Sequence, residues 1–308
     1  MRPRLIAVVA VLVFAQAVPA VASGRAAAPV LLLAQNFADP DVVRTDAGYV
    51  GFSTSSGAGN VPYAVSAAPG SGWAVKGDAL PNPPRWATPG GFWAPDVARR
   101  ADGGFVLYFS ATVAASGQMC VGAATSGDPA GPYHPAGDAA LVCVPGDSGD
   151  IDPQTFVDGD GRRYLLYKSN GARTGSPAAI WLQELEADAL TLKGPRTELL
   201  RADLAAEKSV VEAPSMVKRQ DGYTLFYSAD TFQSSGYHTS YANAPALTGP
   251  FVKSDAPLLG TRPGLDGPGG ADVVDGHLFF HGWLDPGHTS RGLYTLPLSF
   301  DGERPVAG

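Results

Sequence analysis

The chain has 308 residues, a formal net charge of −7 at pH 7 and a hydrophobic fraction of 45%. This length and apolar content allow either two domains or one extended β architecture with a large core. The acidic balance argues against nucleic acid and anionic membranes as partners.

The N-terminal residues are typical of an export signal. Two arginines precede the apolar stretch 5–15, and small residues at 20–22 provide a cleavage site. An uncleaved membrane anchor is the alternative, but the apolar stretch is short for a transmembrane span. We therefore expect residues 1–22 to be a signal peptide and residues 23–308 to form a secreted protein without membrane contacts.

Repeated β-rich segments dominate the rest of the chain, and the best helix candidate, residues 201–208, is short. Five segments share an apolar run, a turn and an aromatic-rich strand, and we call them units one to five. In chain order they read ADPDVVRTDAGYVGFST, WAPDVARRADGGFVLYFSA, IDPQTFVDGDGRRYLLYKS, EAPSMVKRQDGYTLFYSAD and GADVVDGHLFFHGW.

The units share one internal layout. A proline stands at positions 40, 95, 153 and 214, and a glycine follows eight residues later in each of these four units. In the fifth unit Ala271 takes the place of the proline, and the turn moves to Asp275-Gly276. Each unit is predicted to be a hairpin whose tight turn needs positive φ.

The remaining residues of each unit leave room for two more strands. Five four-stranded units without intervening helices predict an all-β fold, a five-bladed β-propeller. A β-sandwich is the alternative, but it gives no reason for one pattern to recur five times. Residues 23–308 are therefore expected to form a single propeller domain.

Cys120 and Cys143 are the only cysteines of the chain. In the oxidising compartment that an exported protein meets, such a pair can persist as a disulfide. Closing that loop would stabilise the fold by about 3 kcal/mol. Two buried free thiols are the alternative, and the sequence leaves both open.

Three carboxylates stand at matching positions near the starts of the inner strands. Asp39 and Asp152 directly precede the prolines of units one and three, and Glu212 lies one residue earlier in unit four. Inner strands of a propeller surround a central channel, so these three side chains are expected to converge on one cavity. Like charges crowded in a cleft are typical of sites that separate an acid from a base.

These residues carry a resemblance to a known family. The openings ADPDV, FWAPDV, DIDPQTF and VEAPSM, followed by strands such as YLLYKS and LFYSAD, resemble glycoside hydrolase family 43 over nearly the whole chain after residue 22. The resemblance implies an inverting hydrolase with Asp39 as general base, Glu212 as general acid, and Asp152 orienting that acid and raising its pKa. Inverting hydrolysis independently requires such a base and acid on either side of the scissile bond.

Substrate contacts are predicted from the same resemblance. Phe92 and Trp93 could form an aromatic wall for a sugar ring, although a large aromatic at a strand start is often core. Arg291 resembles the arginine that hydrogen-bonds the sugar in many family members, and a surface arginine closing a hairpin is the alternative.

One departure from the family concerns a metal. Many members carry a histidine in the last blade that helps to hold a metal or a water, and Gly270 stands at that position here. We therefore expect no cofactor and no metal ligand, which puts a structural calcium in doubt. His281 is interpreted as a satisfied strand histidine or a sugar contact.

The Gly-Gly-Ala-Asp-Val stretch and the FWAPDV motif resemble the arabinan-active branch of the family. This resemblance implies an arabinose-containing plant cell-wall polysaccharide or oligosaccharide as the substrate, cleaved by an arabinofuranosidase or arabinanase. A β-xylosidase on the same scaffold is the nearest alternative, and a non-catalytic sugar-binding propeller is a more distant one. The loops 53–61 and 231–237 cannot be interpreted for specificity. We expect a monomer.

Overall fold

The structure is a computed structural model that describes residues 27–171 and 175–308. The predicted signal peptide, residues 1–22, lies outside the described residues. The described chain is almost entirely β, with one short 3₁₀ turn at Ala205–Glu207 inside the segment that was the best helix candidate. No helix among these residues is both long and apolar enough to cross a bilayer.

Within the described residues, twenty-one strands form five antiparallel sheets, and the predicted five-bladed β-propeller is confirmed. The first strand, β1 (Val30–Leu33), is described below with the last blade. Blade one consists of β2 (Asp41–Thr45), β3 (Gly48–Phe52), β4 (Pro62–Ser66) and β5 (Ala74–Asp78). Blade two consists of β6 (Trp93–Arg99), β7 (Phe105–Thr112), β8 (Met119–Ser126) and β9 (His134–Pro135).

The next two blades repeat this order. Blade three consists of β10 (Asp150–Val157), β11 (Arg163–Ser169), β12 (Ala179–Leu185) and β13 (Leu192–Arg201). Blade four consists of β14 (Val211–Lys218), β15 (Tyr223–Ala229), β16 (His238–Ala244) and β17 (Val252–Lys253).

The fifth blade closes the ring with a strand from the other end of the chain. Its sheet contains β18 (Asp266–Val274), β19 (His277–Trp283), β20 (Arg291–Asp301) and β21 (Arg304–Ala307). The first strand, β1, pairs antiparallel with β20 and completes the blade. The two ends of the described chain are therefore held together by backbone hydrogen bonds within one sheet.

The hairpin turns explain the regularly spaced glycines. Gly48 has φ +128° and Gly222 has φ +156°. A Cβ at Gly48 would lie 2.3 Å from the carbonyl oxygen of Ser66, and one at Gly222 would lie 2.4 Å from that of Ala244. Any side chain at these positions would collide with the third strand of its own blade. Glycine is therefore required there for two reasons, the positive φ and the lack of space for a Cβ.

The hydrophobic core lies between the blades and consists of five clusters, one for each pair of neighbouring blades. Polar links connect the innermost strands as well: Asp41 accepts a hydrogen bond from Val97 N at 2.9 Å, and Asp272 accepts one from Val42 N at 2.9 Å. A disulfide joins Cys120 to Cys143 and ties β8 to the segment that leads into blade three.

Candidate active site

Every blade begins with one residue in the left-handed backbone region. This residue precedes the proline, or Ala271 in blade five, so the positions aligned in the sequence are equivalent in space. The five residues are Asp39 (φ 49°), Ala94 (φ 42°), Asp152 (φ 55°), Ala213 (φ 48°) and Gly270 (φ 60°). Such a conformation costs about 1–2 kcal/mol for a residue with a side chain, so neighbouring groups must hold it.

All five holding groups come from the preceding blade in the ring. In each case the backbone N–H of the left-handed residue donates a hydrogen bond to a side chain. The five bonds are Ala94 N to Thr54 Oγ1 (3.0 Å), Asp152 N to Ser110 Oγ (2.9 Å), Ala213 N to Asp152 Oδ2 (3.0 Å), Gly270 N to Ser228 Oγ (2.9 Å) and Asp39 N to His281 Nδ1 (3.1 Å). They fix the two aspartates at the mouth of the channel.

One pocket of about 420 Å³ brings the predicted acids together. Asp39, Asp152 and Glu212, from blades one, three and four, all line it. Among the other residues lining the pocket are Trp93, Lys168, Phe232, Tyr237 and Arg291. The structure thus places the three carboxyl groups around one cavity large enough for a sugar residue.

Asp39 is held in its ionised form. Arg291 Nη1 lies 2.9 Å from Asp39 Oδ1 and Nη2 lies 3.3 Å from Oδ2, while the hydroxyl of Thr54 donates to Oδ2 at 2.5 Å. Burial alone would raise the pKa of Asp39, but the guanidinium charge and these hydrogen bonds hold it below the ordinary value. Arg291, predicted as a sugar contact, is therefore first of all the ion-pair partner of Asp39.

Asp152 has the opposite character. Burial, followed by the negative charge of Glu212, raises the pKa of Asp152 to about 7. Two carboxyl groups this close favour a state in which one of them keeps a proton. The pocket thus holds one carboxyl group with a lowered pKa, Asp39, and one with a raised pKa, Asp152.

Glu212 is hydrogen-bonded through both of its oxygens. Lys168 Nζ lies 2.7 Å from Oε2, and the hydroxyl of Tyr237 donates to Oε1 at 2.7 Å. Burial and the charge of Glu212 raise the pKa of Tyr237 well above its ordinary value, so the phenol remains a donor. Lys168 is itself buried, with only 7% of its side chain exposed.

The two aromatic residues that were predicted to form a wall lie in different environments. Trp93 is 43% exposed and lines the pocket, whereas Phe92 is 1% exposed and packs edge-on against Phe109 in the core between blades one and two. Phe92 is therefore a core residue that does not line the pocket, so only Trp93 remains available for the predicted aromatic wall. Phe232, on the loop 231–237 that sequence could not interpret, is a second exposed aromatic at the pocket.

His281 occupies the space next to Gly270. A Cβ at Gly270 would lie 2.8 Å from His281 Nδ1, so the imidazole leaves no room for a side chain there. Burial, together with the charge of Arg291, lowers the pKa of His281 to about 3, and the neutral ring accepts from Asp39 N. These residues do not fit the metal site implied by the resemblance, and no group of three or more metal-ligating side chains occurs in residues 27–171 and 175–308.

Sequence reasoning missed Lys168 and Tyr237 as neighbours of Glu212. Lys168 lies in the quoted strand YLLYKS, at a position where the units two and four carry serine and unit five carries histidine. Comparing the second strands of the units, as well as their starts, could have singled it out. Tyr237 had no such signal, because it lies in a loop that the units do not share.

Comparisons with known proteins show the family to which the chain belongs. The family model for glycosyl hydrolases family 43 matches residues 28–283. The β-D-galactofuranosidase xynD of Aspergillus niger is 30% identical over 212 residues, which are 64% of this chain and 58% of that protein. The extracellular endo-α-(1→5)-L-arabinanase 2 of Bacillus subtilis is 25% identical over 236 residues, 67% of this chain and 49% of that protein.

A solved structure of a thermostable family-43 glycoside hydrolase superimposes with a TM-score of 0.78 at 26% identity, covering 89% of this chain and 93% of that one. The chain spans about half the length of the two curated relatives it matches above.

Proposed function

This chain belongs to family 43 of the glycosyl hydrolases, and from that membership we propose that it is a glycosidase that hydrolyses α-L-arabinofuranosidic bonds with inversion. In this proposal Asp39 is the general base, Glu212 the general acid, and Asp152 the carboxyl group that shares the acid's proton and orients it. The observation that carries the proposal is the electrostatic contrast within one pocket. Arg291 lowers the pKa of Asp39, while burial and the charge of Glu212 raise the pKa of Asp152 to about 7.

The proposed reaction uses that contrast directly. Asp39 accepts a proton from a water whose oxygen attacks the anomeric carbon, and the bond from that carbon to the leaving oxygen breaks. The leaving oxygen takes the proton of the Asp152–Glu212 pair through Glu212. Asp39 then releases its proton to solvent and the pair takes one up, so the enzyme returns to its starting state.

The two curated relatives described above support a furanose as the substrate ring. One is named a galactofuranosidase, and the other is named an α-(1→5)-L-arabinanase. An arabinose linked through O5 cannot use that oxygen to close a six-membered ring, so its ring is a furanose. We propose arabinofuranosyl units of plant polysaccharide as the substrate, with Trp93 as the stacking platform.

A panel of nitrophenyl glycosides tests the proposal. We expect turnover of the α-L-arabinofuranoside to exceed that of the β-D-galactofuranoside and of the β-D-xylopyranoside, and product sizing on debranched arabinan to separate exo from endo action. NMR of the first product formed should show the inverted anomer. Asp39→Asn should lower turnover by about 100- to 10,000-fold. Preference for the xyloside, a retained anomer, or an active Asp39→Asn variant would each refute the corresponding part.

Export is proposed on separate grounds. Residues 1–22 have the pattern of a signal peptide, and one of the relatives is named as extracellular. Mass spectrometry of protein recovered from culture medium should then find Ser23 at the N-terminus. Retention of the intact chain in cells would contradict it.

A further inference from the structure

We propose that Lys168 is a positioning residue for the acid: its ammonium group holds Glu212 in place and sets the pH above which the Asp152–Glu212 pair loses its proton. The proposal rests on the proposed function, and it adds a residue and a pH limit to it. It follows from a departure in the internal repeat, from the contacts of Lys168, and from the charge balance of the pocket.

Blade three departs from the other blades at the position of Lys168. The residue paired with the inner-strand start is Ser110 in blade two, Ser228 in blade four and His281 in blade five. Each of these three accepts the backbone N–H of the next left-handed residue. An ammonium group has no acceptor, so Lys168 cannot do this.

Another group takes over that structural task in blade three. Ala213 N, the donor that Lys168 would be expected to serve, instead donates to Asp152 Oδ2 at 3.0 Å. Lys168 therefore makes no contribution to the ring of bonds that fixes the blade starts. Its side chain extends along the pocket to Glu212, where Nζ and Oε2 are 2.7 Å apart.

The charges around Lys168 define its effect. Burial would lower the pKa of Lys168, but the charges of Glu212 and Asp152 raise it above the ordinary value, so the ammonium form persists. The negative charge of Asp39 raises the pKa of Asp152, but Asp39 is itself paired with Arg291. His281, next to this ion pair, is neutral. Tyr237 donates a hydrogen bond to Glu212 as a neutral phenol. Lys168 is thus the cation next to the acid pair, as Arg291 is next to the base.

The consequence for the reaction follows from proton balance. Before the bond breaks, Lys168, Glu212 and Asp152 together carry one positive charge, one negative charge and one proton on the pair. When the leaving oxygen takes that proton, both carboxyl groups become negative, and the ammonium group stabilises this state. Lys168 therefore makes the pair a stronger acid and lowers the pH at which it deprotonates.

The pH dependence of kcat/KM on one arabinofuranoside tests the proposal. A positive charge beside a carboxyl group changes its pKa by about 1–3 units, so Lys168→Met should move the alkaline limb upward by about 1 pH unit or more. The acidic limb, which belongs to Asp39, should stay in place. Lys168→Arg should keep the alkaline limb of the wild type even where turnover falls, because it keeps the charge.

Two controls separate this role from a structural one. Lys168→Ser introduces the residue of blades two and four, which suits the repeat, and should show the same upward limb as Lys168→Met. Lys218→Met removes a lysine paired with Asp158 outside the pocket and should leave the profile unchanged. A loss of activity by one factor at every pH, with unmoved limbs, would overturn the proposal.

A measurement without substrate gives an independent answer. If Lys168 lowers the pKa of the pair, the melting temperature of Lys168→Met should fall further below that of the wild type as pH rises from about 7 to about 9, because the variant still holds a proton that unfolding releases. A constant difference across this interval would overturn the proposal. A wild type that melts as expected but hydrolyses no glycoside would instead refute the proposed function.

Discussion

Replacing Arg291 with Met should raise the lower pH limit of activity. The guanidinium group contacts both oxygens of Asp39, and the two side chains are only 14% and 19% exposed. Two unit charges about 4 Å apart at an effective dielectric constant of about 20 interact by about 4 kcal/mol. Carboxyl groups that lose such a partner shift by about 1–3 pKa units. Without the guanidinium, its charge and hydrogen bonds no longer oppose burial and the Thr54 hydrogen bond does so with less support, so the acidic limb of kcat/KM should move upward by that amount.

The assay is a kcat/KM profile on one nitrophenyl furanoside from about pH 4 to about pH 9, where general-base ionisation is visible as the acidic limb. Arg291→Lys keeps the positive charge, so the acidic limb should stay close to its wild-type pH. Arg44→Met removes an exposed arginine that pairs with Asp275 outside the pocket and should change nothing. If Arg291→Met loses the same factor at every pH, Arg291 acts on the sugar and not on the ionisation of Asp39.

Three further results are expected. Glu212→Ala should lose about 100- to 10,000-fold in turnover on arabinan oligosaccharides but much less on a dinitrophenyl glycoside, whose leaving group needs no proton; equal losses on both would remove Glu212 from the acid role. Burial raises the pKa of Asp96, on the strand β6 of blade two, to about 7. At this group the folded chain keeps a proton that the unfolded chain releases, so its contribution to stability should fall as pH rises from about 4 to about 7. Asp96→Asn should flatten that decline in melting temperature, and an unchanged slope would contradict the assignment. Chelators should leave activity nearly unchanged, because Gly270 offers no ligand and Nδ1 of His281 is already bonded to Asp39 N; a large loss restored by calcium would show a metal site.

The fold was accessible from sequence because the chain contains five versions of one hairpin. The glycine eight residues after each proline marks a turn, and the structure shows why it must be glycine at positions such as 48 and 222. The pairing of β1 with β20 was not predicted. Its partners are about 260 residues apart in the chain, and no local pattern in a short apolar strand indicates so distant a neighbour.

The site was accessible only in part, for a related reason. Asp39, Asp152 and Glu212 could be found because they stand at repeated positions, while Tyr237 lies on a loop of one blade alone. Phe92 could have been assigned to the core. It precedes Trp93 directly, and neighbouring side chains at a strand start point to opposite faces, so only one of the two could line the pocket.

The repeat also separates what the propeller needs from what the chemistry needs. At each blade start the fold requires a residue that can adopt the left-handed conformation and a partner for its N–H, and Ala94 with Thr54 meets both requirements without any charge. A carboxylate at that position, as at Asp39 and Asp152, adds like charges to a buried channel and is costly for stability. Arg291, from blade five, offsets that cost for Asp39. Lys168, from blade three, offsets it for the Asp152–Glu212 pair. Because the two cations act on different partners, the base and the acid can be tuned separately, and substitutions of Arg291 and Lys168 should move opposite limbs of one pH profile.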